Sequence, residues 1–307
     1  MNWILLISIA VLTDALRIFT DNYISDVYFK ETGAVSQKFF YGFAYILISL
    51  VTFIVIGFNP FQAELMPVGL ILLSGVLVSL AGIPYYRALE IEDSTNIGIF
   101  IQLAPILYLV FGWFFLDESF SPIQLAAFVV ILAAPALAIL TTRKRSRKVK
   151  LKAVFYAFTY VLIAVIGNLF FVKADASSLS FVEEIALLFL AKGITDVVTI
   201  YVKPKWRKRF KNVFRANRRK IIRPLLAHTL FAAATDFTYR NALVVAPAVA
   251  LASATTDSAT PIVIFFMGLL LTIVWPKFGR EKLNRKTVIV HFIATILVVT
   301  GIILIQI

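Results

Sequence analysis

The chain reads as an all-α polytopic membrane protein, with ten transmembrane helices arranged as two inverted five-helix repeats. Three observations predict this. Of its 307 residues 60% are hydrophobic and only 15% charged, with a mean hydropathy of +0.89; soluble domains sit near half apolar and a quarter charged. Apolar runs of about 20 residues, enough to cross about 30 Å of hydrocarbon, recur along the whole length. Finally, two stretches roughly 150 residues apart repeat one another, a common sequence trace of a membrane protein built from two related halves.

The runs fall at 3–22, 37–57, 67–89, 95–116, 122–141, 151–172, 181–202, 221–240, 245–275 and 286–306. The first is read as a retained span rather than a secretory signal, because Met1-Asn2-Trp3 lacks a basic side chain and Asp14 and Arg17 interrupt the apolar core. The ninth is long enough to contain a tilt or a break. Residues 1–142 make the first five-helix repeat, 143–150 a basic linker and 151–307 the second repeat. An odd number of spans per half requires the second copy to enter from the opposite side, hence the inversion.

The net charge of +13 is concentrated. Of 30 Lys and Arg, 23 lie in 143–152, 203–223 and 277–286, with Glu281 the one acid among them, whereas Glu64, Asp117, Glu118 and Asp175 occupy alternate connectors. The positive-inside rule produces this alternation and puts both termini outside; the acidic connector Glu90, Glu92, Asp93 is the exception. Within Lys203 to Arg223, Trp206, Phe210, Val213 and Phe214 recur at helical spacing among basic residues. This is the pattern of a helix in the headgroup layer near anionic lipid, and a partner nucleic acid is not expected. Zero cysteines exclude disulfides and thiolate chemistry. No Asn-x-Ser/Thr acceptor occurs, which fits the plasma (inner) membrane of a prokaryote.

The repeat itself is Tyr86-Arg87-Ala88-Leu89, then Pro105-Ile106 and Gly112, against Tyr239-Arg240-Asn241-Ala242-Leu243, then Pro261-Ile262 and Gly268. With Gln102-Leu103-Ala104-Pro105 and the exit Gly112-Trp113-Phe114-Phe115-Leu116-Asp117-Glu118, the chain resembles the EamA-like branch of the drug/metabolite transporter superfamily. The second half lacks the Asp117-Glu118 counterpart and carries Pro276-Lys277-Phe278-Gly279-Arg280 instead; Ala126, Ala127, Ala133 and Ala134 stand where the family favours glycine. The resemblance implies a central cavity lined by spans 1, 3, 4, 6, 8 and 9, and alternating access by rocking of the halves.

Ionisable residues inside spans are costly and mark candidate sites. Asp14, Arg17 and Asp21 share one face of span 1, either as a self-neutralising ladder or as a polar stripe on the cavity wall. Lys192 with Asp196, and Asp236 with Arg240, stand at i, i+4, the spacing of intrahelical pairs. Span 9 is the richest: Ser253, Thr255, Thr256, Asp257, Ser258 and Thr260 precede Pro261, which frees the carbonyl of Asp257. The candidate substrate-binding residues are Asp14, Tyr86, Asn96, Gln102, Asn168, Asp236, Tyr239, Thr256 and Asp257. Asp14 and Asp257 are the anchors, contacting a cationic group of the substrate or carrying a coupling proton. The second copy carries Asp257 where the first carries Ile101.

His228 and His291 lack ligand-spaced companions, and no phosphate loop, HExxH or GxSxG occurs; no cofactor, metal or catalytic activity is expected. The expected function is secondary-active export of small metabolites, such as amino acids or amphipathic organic solutes, by a monomer or homodimer. The competing readings are a translocase of a lipid-linked carrier or anionic lipid, and an integral-membrane enzyme.

Overall fold

A computed structural model describes residues 2–29, 34–58, 63–92, 97, 100–101, 103–142, 150–174, 179–274 and 285–306. These form helices and turns with no strand. Helix α1 (Trp3–Ile24) runs into a π-helical turn (Ser25–Phe29), and a 3-10 turn (Ala34–Gln37) leads into α2 (Lys38–Ile56). Next come α3 (Leu65–Leu89), α4 (Ala104–Phe115), α5 (Pro122–Thr142), α6 (Leu151–Ala174) and α7 (Phe181–Val202). The chain ends with α8 (Pro204–Val245), α9 (Val249–Val274) and α10 (Arg285–Gln306). Helices α1, α2, α3, α6, α7 and α9 are long and apolar enough to cross a membrane, while α4 and the apolar parts of α5 and α10 are shorter.

Local sequence explains several boundaries. Ser180 and Glu183 form a reciprocal capping box at the start of α7, satisfying amide donors that the first turn leaves open. Gly57 closes α2 in a left-handed conformation, φ 68°, with its N–H on Phe53, a geometry without penalty only for glycine. Two sequence expectations are corrected. Span 8 does not begin at 221 but forms the end of a 42-residue helix that includes the whole basic segment. Helix α9 runs unbroken through Pro261: a proline removes one backbone bond, and in lipid the remaining bonds are too costly to release.

The most extensive helix pairings join the two halves: α3 on α6, α1 on α8, α2 on α7 and α5 on α10, followed by α3 on α7 and then by α4 and α1 on α9. At the α2–α7 crossing, a Cβ on Gly42 would meet Gly193 O at 2.8 Å and one on Gly193 would meet Gly42 O at 2.7 Å. The backbones touch there, as small residues permit between membrane helices, and Ser49 Oγ donates to Ala186 O at 2.8 Å alongside. Burial is inverted relative to a soluble protein. Ile54 and Val55 are about four-fifths exposed, while Ser49, Ser74, Thr255 and Ser258 are buried, as expected when lipid covers the outside.

The basic segment's aromatic stripe packs inward. Phe210 and Val213 are buried in the core shared with α2 and α7, Phe210 meets Phe39 edge-on at 5.0 Å, and Trp206 packs on the cluster of Val35, Tyr86 and Ile200. An amphipathic helix needs one apolar surface against its stripe; here the protein supplies it.

Candidate functional site

Polar side chains from four helices converge on Tyr160 of α6. Arg17, Asp257, Asp14 and Lys192 all lie within its electrostatic reach, and its ring packs on Tyr85 of α3 at 5.0 Å. Although surrounded by protein, these groups keep accessible surface: 34% for the Arg17 side chain, 17% for Asp14, 14% for Lys192 and 19% for Asp236. Partial access deep in a bundle is what groups facing an internal cleft would show.

Pairing within that cleft follows tertiary contacts. Asp14 and Arg17 pair along α1 at 2.7 Å, as their spacing predicts. The i, i+4 pairs on α7 and α8 are a correction. Lys192 crosses to Asp236 of α8 at 2.5 Å and lies over the Tyr45 ring at 4.4 Å. Asp196 takes Lys38 of α2 at 2.6 Å and the Ser79 hydroxyl of α3 at 2.5 Å. Each of these charges takes its partner from a facing helix rather than from the next turn of its own.

Asp21 leaves the expected ladder for a second buried network. Its carboxylate accepts from Gln37 Nε2 at 2.7 Å and Tyr41 at 3.3 Å, and lies 3.5 Å from His228 Nε2. The His228 ring stacks on Tyr41 at 4.0 Å, and Gln37 reaches the Tyr86 hydroxyl at 3.3 Å. Tyr86 therefore belongs to this network. His228 does meet a carboxylate, but from α1, more than 200 positions away; spacing within a helix could not reveal it. Among the described residues no cluster of three or more His, Cys, Asp or Glu could hold a metal ion.

The other end of the cleft is lined by the second repeat motif. Asn168 Nδ2 donates to the Tyr108 hydroxyl at 2.5 Å, Tyr108 and Tyr239 are hydrogen-bonded, and Tyr239 continues to Ser253, whose hydroxyl donates to Asp257 at 2.8 Å. Asp14 lies within electrostatic reach of Asp257. Thr256 donates to Ala252 O at 2.9 Å and is buried, so its proton is already committed within α9; Thr255 and Thr260 do the same. Asn96, Gln102 and the side chain of His291 lie outside the described residues.

Arg240 is the residue whose role the i, i+4 reading hid. It is 1% exposed, its guanidinium lies over the Phe171 ring at 4.8 Å, and Nε and Nη1 have no hydrogen-bond partner among the described residues. Asp236, its expected partner, is held by Lys192. Tyr108 stands within reach of both Arg240 and Asp257, so opposite charges approach it from α8 and α9. The available signal was the Arg in Tyr239-Arg240, the counterpart of Tyr86-Arg87; but Arg87 is half-exposed and bonds Glu90.

A family comparison matches residues 2–141 to the EamA-like transporter family. No curated protein matches the chain. A crystal structure of another protein superposes with a TM-score of 0.63 at 13% identity, covering 97% of this chain and 98% of that one; that likeness concerns the fold alone.

The structure accounts for the exit motif of the EamA-like half. The backbone folds back so that Glu118 N–H meets Gly112 O at 3.2 Å, with Asp117 at φ 54°. The Glu118 carboxylate then fills the space beside Gly112, where any Cβ would collide with it. From there Oε1 accepts the Val249 N–H at 2.7 Å, capping the first turn of α9 with negative charge. Burial pushes the Glu118 carboxyl up from its ordinary range, against those backbone hydrogen bonds. A motif of the first half thus anchors the helix carrying Asp257.

Proposed function

We propose that the protein is a secondary-active exporter of small metabolites, with amino acids or related zwitterions as the substrate class, working by alternating access of two inverted five-helix repeats. It would sit as a multi-pass protein in the plasma (inner) membrane of a prokaryote. The observation that carries this reading is that Arg240 of α8 and Asp257 of α9, of opposite charge, both lie within electrostatic reach of Tyr108. Arg240 offers two unclaimed N–H donors to a carboxylate, and Asp257 offers a carboxylate to an ammonium group.

Two further features support it. Exchanging each helix with its counterpart five positions along turns α3–α6 into α8–α1 and returns α2–α7, α4–α9 and α5–α10 to themselves, the pairing a pseudo-two-fold axis requires. The interacting polar groups also come from α1, α3, α4, α6, α8 and α9, with α7 contributing Lys192. The midplane between repeats is where such carriers hold their substrates.

Counterflow of labelled amino acids in proteoliposomes tests the proposal. Saturable exchange is expected, with R240Q losing amino acids but retaining their amides, and D257N losing amino acids but retaining the matching deaminated acids. Unchanged exchange in both variants would remove the proposed site, and no exchange of any zwitterion by the folded wild type would remove the substrate class.

A further inference from the structure

Away from the polar cleft, an open groove of about 800 Å³ runs between α3, α6 and α7 and ends at the start of α8. Its walls are apolar: Leu80 and Ile83 on α3, Phe155 and Ile163 on α6, and Trp206 at its end. Phe155 is 64% exposed, so the groove opens sideways on the face that lipid covers. Its volume is within the range of a ligand pocket, yet its wall offers a polar solute little beyond the Thr159 and Thr199 hydroxyls.

The rim is basic. Arg87, Lys203 and Lys205 all line the groove, and Arg87 is fixed there over the Trp206 ring at 5.5 Å. Lys152 lies 6.0 Å from the ring of Tyr156, a further lining residue. Two acids lie at this end of the bundle: Glu90, bonded to Arg87 at 2.9 Å, and Glu92, which accepts the Lys150 N–H at 3.2 Å. The end of α3, the start of α6, the end of α7 and the start of α8 lie together here, the end of the bundle where the basic connectors cluster.

We propose that this groove is a binding site for one anionic phospholipid, its acyl chains along the apolar wall and its phosphate on Lys203, Lys205 and Arg87. Apolar walls alone would accept any membrane lipid; the cations at one end select a negative headgroup. Basic pockets between membrane helices have this chemistry. The headgroup stays at the rim, because the wall beyond it carries no charged group to draw a phosphate across the membrane. The occupant is a fixed ligand that ties α8 to α3 and α6, and the site is independent of what the central cleft carries.

The test is a titration of the purified full-length protein in detergent with phosphatidylglycerol and with phosphatidylcholine of the same chains, read by native mass spectrometry and thermal unfolding. One phosphatidylglycerol should be retained, with stabilisation that phosphatidylcholine does not give. The variant K203S/K205S should remain folded and bind phosphatidylglycerol ~30-fold more weakly, about fivefold per cation. I83W, which fills the groove and keeps the cations, should abolish retention. Equal retention of both lipids, or retention unchanged in both variants, would overturn the proposal. So would loss of the bound lipid to inorganic phosphate at equal concentration, which would make the site a phosphate site. Movement of labelled phosphatidylglycerol across proteoliposomes that K203S/K205S abolishes would also overturn it, since the groove would then be a path.

Discussion

Asp196 on α7 and Asp257 on α9 are both aspartates deep in the helix bundle, and their surroundings give them different work. Asp196 is 2% exposed and locked between Lys38 of α2 and Ser79 of α3, beside the glycine contact that brings α2 and α7 together. Asp257 keeps accessible surface and takes a hydroxyl from its own helix, with Tyr108 and Arg240 beyond it. A buried carboxylate matched by a cation from another helix is a brace. One that keeps accessible surface and bonds a hydroxyl of its own helix does not tie two helices together in that way. Residue type does not separate the two; the partner does.

The contrast can be broken at several points. The largest effect should come from D196A, which leaves Lys38 buried without its counter-charge and should cost about 3–5 kcal/mol, read as thermal unfolding in detergent. D257N should leave stability within about 1 kcal/mol of wild type while abolishing stabilisation by a bound amino acid. If D257N unfolds as readily as D196A, Asp257 is a second brace and the distinction fails. The Lys192–Asp236 pair lies between these extremes, braced across helices yet partly accessible. A double-mutant cycle with K192M and D236N should give a coupling of about 1–3 kcal/mol; a value near zero would make the pair part of the cleft rather than of the frame.

The smallest effect concerns Glu118. Because burial raises its carboxyl, the folded protein holds that proton more tightly than the unfolded chain does. The resulting stability is full below the ordinary glutamate range and is lost as pH rises through the raised value. E118Q, permanently neutral and still able to accept from Val249, should flatten this part of the pH–stability profile by a small amount. An unchanged slope would show that the carboxyl is not responsible.

Much of this architecture was legible in the residues. Nine of the ten apolar runs coincide with helices to within a few residues where the structure describes them, because crossing hydrocarbon demands length and apolarity that composition displays directly. The tenth, span 8, was started late because Lys203 to Arg223 looks like a connector by charge, although Trp206, Phe210 and Val213 were already spaced for a helix. The repeat motif located Tyr239, Arg240 and the Asp257 region correctly on adjoining helices. Pairing was the failure. Lys192–Asp196 and Asp236–Arg240 satisfy the spacing rule for one helix, but the rule is silent on a neighbour that competes. Lys38 and Asp21 illustrate this: each finds its partner on a helix more than 150 positions away.

By itself, then, the sequence determined the membrane class, the position of most apolar helices and the EamA-like match of the first half, since hydropathy and local motifs are properties of consecutive residues. Only the tertiary structure decided which charges brace the bundle and which are left to face the cleft. Coulombic attraction falls with distance through space, not along the chain, and Lys192 had both Asp196 on its own helix and Asp236 on α8 as candidate partners. The crossing of α2 over α7 at Gly42 and Gly193 settles that competition: it sets Lys38 against Asp196, leaves Lys192 to Asp236, and so leaves Arg240 with donors to offer.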